Sequence, residues 1–237
     1  MNKPFKFKQF IIHQDKCAMK VGTDGVLLGA WTSLKNNPDS ILDIGAGTGL
    51  IALQLAQRSN ATLIDALEID NDAYIQAVEN FENSHWADRL FCYHTSLEEF
   101  TNEIEEKYDL IVSNPPFYKD EYHSNNKARN TARSTSSLSF EKLVYSASKL
   151  LSKTGILSVI TPHKEEENLI DLAHTNNLYP IRICRVKGNS SSPIKRSLLE
   201  FSFQKSEIKI DELIIEIERH QYTNAYIDLV EEFYLKM

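Results

Sequence analysis

Asp43-Ile44-Gly45-Ala46-Gly47-Thr48-Gly49 joins a short apolar run, Ser40–Ile44, to a stretch of helical spacing, Gly49–Arg58, whose Ile51, Leu53, Leu55 and Ala56 form an apolar face. Three glycines at alternate positions permit a tight turn and let backbone N–H groups approach a ligand closely. The turn alone is a weak signal, because dinucleotide-binding folds use a similar one. Two features narrow it. The spacing is GxGxG rather than GxGxxG, and an acid, Asp43, precedes the first glycine. Asp43 can accept a hydrogen bond from a cationic amino-acid group, which a nicotinamide dinucleotide lacks. The next apolar run, Thr62–Ile69, contains Glu68 near its end, 25 residues after Asp43. A carboxylate there suits the two hydroxyls of a ribose, although Glu68 on its own could be a solvated acid at a strand end.

Outward from this turn, apolar and helical periods alternate. Asp72–Glu82 is amphipathic, with Asn71 as its expected cap. Leu90–Tyr93 is a strand, Leu97–Glu106 an acidic helix, and Tyr108–Ser113 a strand so apolar that it should be buried on both faces of a parallel sheet. Residues 118–138 are polar and aperiodic, a length that in compact domains goes with function or with disorder. Phe140–Leu151 and Glu165–Thr175 read as helices, Gly155–Thr161 as a strand, and Thr223–Tyr234 as a final helix. Leu178–Val186 and Ser197–Gln204 read as an antiparallel hairpin with a long basic tip. The chain of 237 residues is expected to form one domain, with residues 1–39 as an appended segment.

Composition excludes several classes. No apolar stretch approaches the ~20 residues of a membrane span, and the Lys- and Phe-rich start is not a secretory signal. Cys17, Cys92 and Cys184 form no CxxC pair and read as reduced thiols of a cytoplasmic protein. His13, Asp15 and Cys17 lack the second cluster that a tetrahedral metal site needs, so no metal is expected. The net charge of −7 argues against non-specific coating of nucleic acid. The charge is uneven, however. Residues 182–196 carry +5, residues 3–20 carry +4 and residues 206–237 carry −5. A basic face on an acidic body fits an anionic macromolecular substrate; scattered solvated charge is the alternative.

Asn114-Pro115-Pro116-Phe117 follows the most apolar strand. Two prolines end the ladder and fix the backbone, which alone could make only a rigid turn. Its chemistry suits a weakly nucleophilic planar amine. The Asn114 amide oxygen and the Pro115 carbonyl can each accept one N–H of such an amine, and the Phe117 ring can stack on its base, worth about 1–3 kcal/mol.

Together, the glycine turn, Glu68 and Asn-Pro-Pro-Phe resemble Rossmann-like class I methyltransferases that act on planar nitrogens. The resemblance implies a seven-stranded, mostly parallel α/β sheet with a terminal antiparallel hairpin, and S-adenosyl-L-methionine as cofactor. It places the methionine part at Asp43, Gly45, Gly47 and Gly49, the ribose at Glu68 with Ile69 beside it, and the adenine at Ser96 and Leu97, where Ser96 replaces the family's usual Asp. The run Cys17-Ala18-Met19-Lys20-Val21-Gly22-Thr23-Asp24-Gly25-Val26-Leu27-Leu28-Gly29-Ala30-Trp31 and the preceding Phe7-Lys8-Gln9-Phe10 narrow the likeness further. The chain is similar over essentially its whole length to bacterial tRNA1(Val) adenosine-37 N6-methyltransferases. That implies transfer to adenine N6 in tRNA, with Asn114 to Phe117 catalytic and Asn114 also near the cofactor. It also implies an N-terminal segment folded over the cleft, with Lys20 and Thr23 near the cofactor; Thr23-Asp24 could equally be a helix cap. Lys119, Lys127, Arg129 and Arg133 directly follow the catalytic motif and can reach phosphates beside the target base, as can Lys187, Lys195 and Arg196 of the hairpin tip. Three alternatives stay open: a glutamine N5-methyltransferase, a ribosomal RNA guanine N2-methyltransferase, and an RNA-binding module that keeps only the fold.

Overall fold

Runs such as Ile41–Ile44, Ile64–Leu67 and Leu110–Val112 have no polar face to offer water, apart from Asp43 and Asp65, so they pair in the middle of a sheet. In the computed structural model, which describes residues 3–116 and 138–237, they form its centre. The chain runs β1 (Phe5–Lys6), β2 (Ile11–Ile12), α1 (Thr23–Trp31), β3 (Ser40–Ile44), α2 (Leu50–Arg58), β4 (Leu63–Glu68), α3 (Asn71–Glu82), β5 (Leu90–His94), α4 (Leu97–Glu103) and β6 (Tyr108–Ser113). It continues with α5 (Phe140–Leu150), β7 (Leu151–Pro162), α6 (Glu166–Thr175), β8 (Tyr179–Lys187), β9 (Ile194–Ser202), β10 (Lys209–Ile214), β11 (Glu216–Glu218), β12 (Gln221–Tyr222) and α7 (Asn224–Val230).

The main sheet has the order β10-β8-β9-β7-β6-β3-β4-β5. Strands β7, β6, β3, β4 and β5 are mutually parallel, and β9 lies antiparallel between β7 and β8. The expected hairpin is present. Among the described residues the main sheet has eight strands and not the expected seven, because β10 adds in parallel to the outer side of β8. Only Leu213 of β10 is buried. An edge strand with Lys209, Asp211 and Glu212 turned to solvent has no apolar alternation to reveal it, and such charge protects a sheet edge from pairing with other chains.

Two apolar layers cover the sheet. One holds α1, α2 and α7 with Phe81 of α3. The other holds α4, α5 and α6. Helix α1 is buried from Gly25 to Trp31. It lies close on α2: a Cβ at Gly29 would stand 2.2 Å from Gln54 Oε1. The chain passes from β3 to β4 and β5 on one side, then returns to β6 on the other side of β3. This reversal opens a crevice at the carboxyl ends of β3, β4 and β6, the usual ligand position in such sheets.

Some local expectations need correction. Asp70, not Asn71, caps α3, its carboxylate accepting from Ala73 N at 2.9 Å. Gly22 precedes α1 without a side-chain cap, so Thr23 is a first-turn residue and not the cap. Strand β7 starts at Leu151, four residues before the expected Gly155, with a register shift opposite Tyr108 and Leu110.

Candidate active site

A cavity of about 720 Å³ opens at the carboxyl ends of β3, β4, β5 and β6, within the usual range for small-ligand sites. The β3 turn contributes Ile44, Gly45 and Gly47, and the end of β4 contributes Glu68, Ile69 and Asp70. The end of β5 contributes Thr95, Ser96 and Leu97, and the end of β6 contributes Asn114 and Pro116. Cys17, Ala18 and Met19 close one side, and Lys142, Tyr145 and Ser146 of α5 another.

The three motif glycines all have positive φ, +78° at Gly45, +56° at Gly47 and +77° at Gly49, but they face different surroundings. A Cβ at Gly45 or Gly47 would meet nothing within 4 Å among the described residues, and both glycines line the cavity. A Cβ at Gly49 would lie 2.4 Å from the Phe81 ring, so Gly49 makes room for packing. The loop's amides are also committed. Gly45 N and Ala46 N both donate to Leu67 O at 2.9 Å, and Gly47 N donates to Glu68 Oε2 at 2.8 Å. What Gly45 and Gly47 offer a ligand is therefore space rather than hydrogen-bond donors.

Glu68 holds the turn and the next helix together: its other oxygen, Oε1, accepts from Asp70 N at 2.8 Å. Each carboxylate oxygen keeps a further lone pair on a side chain that lines the cavity. Asp43 does not line it. Asp43 is wholly buried, with Oδ2 accepting from Ala52 N at 3.1 Å and Oδ1 without a hydrogen-bond partner among the described residues. Burial pushes its carboxyl up to about 7, and Glu68 adds to the rise while the Ala52 N–H opposes it.

At the β5 end, Ser96 closes a capping box with Glu99. Its hydroxyl donates to Glu99 Oε2 at 2.8 Å and accepts from Glu99 N at 3.2 Å. The expected Ser96 hydroxyl is thus already engaged in capping α4, while Leu97 presents its side chain to the cavity. Ser113, just before the Asn-Pro-Pro turn, donates its hydroxyl to Ile44 O at 2.8 Å and ties β6 to the glycine turn. Asn114 is half-buried, Pro115 buried and Pro116 exposed.

The N-terminal segment reaches the cavity three residues earlier than expected. Lys20 turns its ammonium back to Cys17 O at 2.6 Å and to Gln14 O, and Thr23 lies at a different cavity. Cys17, Ala18 and Met19 line the cleft; they open the run that carries the family resemblance, but none of them was singled out there as a cofactor contact. Burial raises the Cys17 thiol to about 11, so it stays protonated there. His13 exchanges hydrogen bonds between its backbone and the Asn80 side chain, both at 2.9 Å.

Among the hairpin cations, Lys187 pairs with Glu212 at 2.8 Å and Arg196 with Asp24 at 2.8 Å. Arg182 pairs with Glu200 at 3.4 Å and lies 3.9 Å over the Trp31 ring, while Arg185 pairs with Glu166 at 2.7 Å. Lys195 is exposed. Phe117, Lys119, Lys127, Arg129 and Arg133 lie outside the described residues. Among the described residues, no helix is long and apolar enough to cross a membrane.

The lining fits S-adenosyl-L-methionine by its chemistry. That molecule carries a sulfonium and an ammonium, and the cleft offers the acids Glu68 and Asp70. Ile69, Leu97 and Met19 supply apolar surface for an adenine ring, and Gly45 and Gly47 leave room at the turn. Comparisons with known proteins agree. A family model described as the methyltransferase small domain matches residues 25–175. A tRNA1(Val) (adenine(37)-N6)-methyltransferase of Flavobacterium johnsoniae is 63% identical over 98% of this chain and 100% of its own length. The protein of the same name in Christiangramia forsetii is 60% identical over 100% of this chain and 99% of its own. Among solved structures, a predicted O-methyltransferase of Agrobacterium tumefaciens superposes with a TM-score of 0.69 at 17% identity, over 89% of this chain and 96% of that one. At that identity the likeness concerns the fold.

Proposed function

The chain belongs to the methyltransferase small domain family and groups with its tRNA1(Val) (adenine(37)-N6)-methyltransferases, and from that premise we propose that it methylates the N6 amine of adenine 37 in tRNA(Val). It is an S-adenosylmethionine-dependent enzyme with a class I α/β fold. The observation that carries the reading is convergence: Asn114 and Pro116 of the β6 turn, Glu68 of β4 and Gly47 of β3 line one cavity at the switch point of the sheet.

Glu68 and Ile69 would hold the ribose, Gly45 and Gly47 the methionine part, and Leu97 with its N–H the adenine ring. When bound, the cofactor would supply an electrophilic methyl group whose bond to sulfur breaks as the bond to N6 forms, leaving S-adenosylhomocysteine; a strong base is therefore not needed before attack, and the surplus amine proton passes to water afterwards. Asn114 Oδ1 and the Pro115 carbonyl accept the two N–H bonds of the target amine. That draws the nitrogen towards a pyramidal geometry and frees its lone pair. Positioning of this kind contributes roughly 7–11 kcal/mol in oriented reactions. Phe117 stacks on a base turned out of its neighbours' stack. Phosphates beside it are the expected partners of Lys119, Lys127, Arg129 and Arg133, and of Lys195 and the paired Lys187 and Arg196 of the hairpin tip.

We read residues 1–237 as one methyltransferase domain, with residues 1–39 as a segment over the cleft, acting in the cytoplasm without a metal. The relatives' names favour adenine over glutamine or guanine as acceptor. The test is incubation with labelled S-adenosyl-L-methionine and unmodified tRNA, followed by mass spectrometry of the nucleosides. N6-methyladenosine is expected with wild type. Asn114→Ala is expected to abolish it while keeping S-adenosylhomocysteine affinity within a few-fold. Wild-type-like single-turnover rates in Asn114→Ala would overturn the catalytic role.

A further inference from the structure

A second cavity, of about 470 Å³, is lined by Val21, Gly22 and Thr23 of the N-terminal segment and by residues of the C-terminal strands and helix. Met19 lines the cleft and Val21 lines the second cavity, so positions two residues apart in one segment reach both.

The second cavity is walled by aromatic rings. Tyr222 and Tyr226 have centroids 5.3 Å apart at 39°, and Phe5 meets Tyr234 at 6.1 Å in an edge arrangement. Tyr226 is buried and hydrogen-bonded to Tyr234, which fixes the wall, while Tyr222 is half-buried. Besides the tyrosines, the polar lining comprises Thr23, Lys236 and Glu216, whose Oε1 accepts from His220 N at 3.4 Å and whose other oxygen, Oε2, is left to a ligand. The cavity is also tied to the basic hairpin tip. Ile215 N donates to Lys187 O at 3.0 Å and Glu216 N to Gly188 O at 2.8 Å. Lys236 stands at its rim, with exposed Lys195 on the tip itself.

Aromatic faces with polar groups placed for a base edge are the means by which proteins hold splayed bases of single-stranded RNA, and this cavity offers both, with Lys236 as its cation. On the basis of the same tRNA-methylation reading, we propose that this cavity is a second nucleobase subsite, which takes a base near the target adenine in the same unpaired loop. Tyr222 provides the stacking face, and Glu216 accepts an N–H from the base edge. The subsite would make substrate choice depend on a nucleotide that undergoes no chemistry.

The test uses the full chain and full-length unmodified tRNA(Val), intact or carrying one abasic nucleotide at each position flanking adenine 37 in turn. Tyr222→Ala is expected to raise the KM for intact tRNA about tenfold, the scale of one base–aromatic stack, with S-adenosylhomocysteine affinity unchanged. Tyr222→Phe should restore wild-type KM. Tyr222→Leu keeps apolar packing without the ring and should behave as Tyr222→Ala, which covers the case of a poorly folded alanine variant. At one flanking position, the abasic tRNA should cost wild type the same factor and cost the variants nothing more. A wild-type KM in Tyr222→Leu, or losses that multiply at every abasic position, would overturn the subsite. Failure of wild type to methylate intact tRNA would instead overturn the functional reading beneath it.

Discussion

Alanine placed at each of the three motif glycines separates a ligand-facing position from a packing position within one short turn. All three residues have left-handed φ between +56° and +78°, so each alanine costs about 1–2 kcal/mol in backbone strain. At Gly45 and Gly47 nothing more is expected in the ligand-free protein, because the new methyl meets no atom of the described residues within 4 Å. At Gly49 the methyl would stand 2.4 Å from Phe81 Cε1 and 3.0 Å from Cζ. The Phe81 ring is 2% exposed and cannot swing away into solvent. Overpacking of this kind adds about 1–3 kcal/mol, so Gly49→Ala should lose roughly 2–5 kcal/mol in all. Cofactor affinity should rank the other way. A methyl at Gly45 or Gly47 occupies cavity space and should weaken S-adenosylhomocysteine binding by about 1–3 kcal/mol, or roughly 5- to 150-fold. Folded Gly49→Ala should bind within a few-fold of wild type. Urea unfolding without ligand gives the stabilities, provided the m-value is unchanged, and titration calorimetry gives the affinities. Equal stability losses at all three positions, or wild-type affinity in Gly47→Ala, would refute the assignment.

Three further outcomes follow from the buried polar groups. In the native state the Asp43 carboxyl is raised to about 7 from its ordinary 3.8, so the folded protein holds a proton that the unfolded chain has released. Wild-type stability should therefore fall as pH rises from about 4 to about 7 and level off above. Asp43→Asn should lack this slope, and parallel guanidinium-unfolding curves for the two proteins across that range would contradict the burial account. Tyr108 donates its hydroxyl to Asp65 Oδ2 at 2.5 Å in the buried interior. Tyr108→Phe should cost about 1–3 kcal/mol in stability by stranding the buried acceptor, with cofactor affinity unmoved; a fall in affinity would mean that the network couples to the cleft. Glu68→Ala should weaken S-adenosylhomocysteine binding by about 1–3 kcal/mol, and an unchanged dissociation constant would place the ribose elsewhere.

The central strands, the glycine turn and the Asn-Pro-Pro turn were legible in the sequence because they depend on local chemistry. A parallel strand buried on both faces must be apolar throughout, as Tyr108–Ser113 nearly is, and a turn with left-handed φ at alternate positions calls for glycine. Strand β10 was not legible, because an edge strand carries the same charges as a loop. What only the tertiary structure decided is direction and partnership. The periodicity of residues 43–49 cannot tell that Gly45 and Gly47 face a cavity while Gly49 faces Phe81, because Phe81 arrives from the far end of α3. The basic tip looked unopposed, yet Arg196 meets Asp24 from 172 residues away and Lys187 meets Glu212 on a strand the sequence did not reveal. The segment at the cleft is Cys17–Met19 and not Lys20–Thr23, since the Lys20 ammonium is drawn to carbonyls of its own segment. Sequence pattern encodes how buried a residue must be, through the cost of leaving apolar surface wet or polar groups dry. It does not encode which distant group completes the contact, and that is settled only when the elements pack.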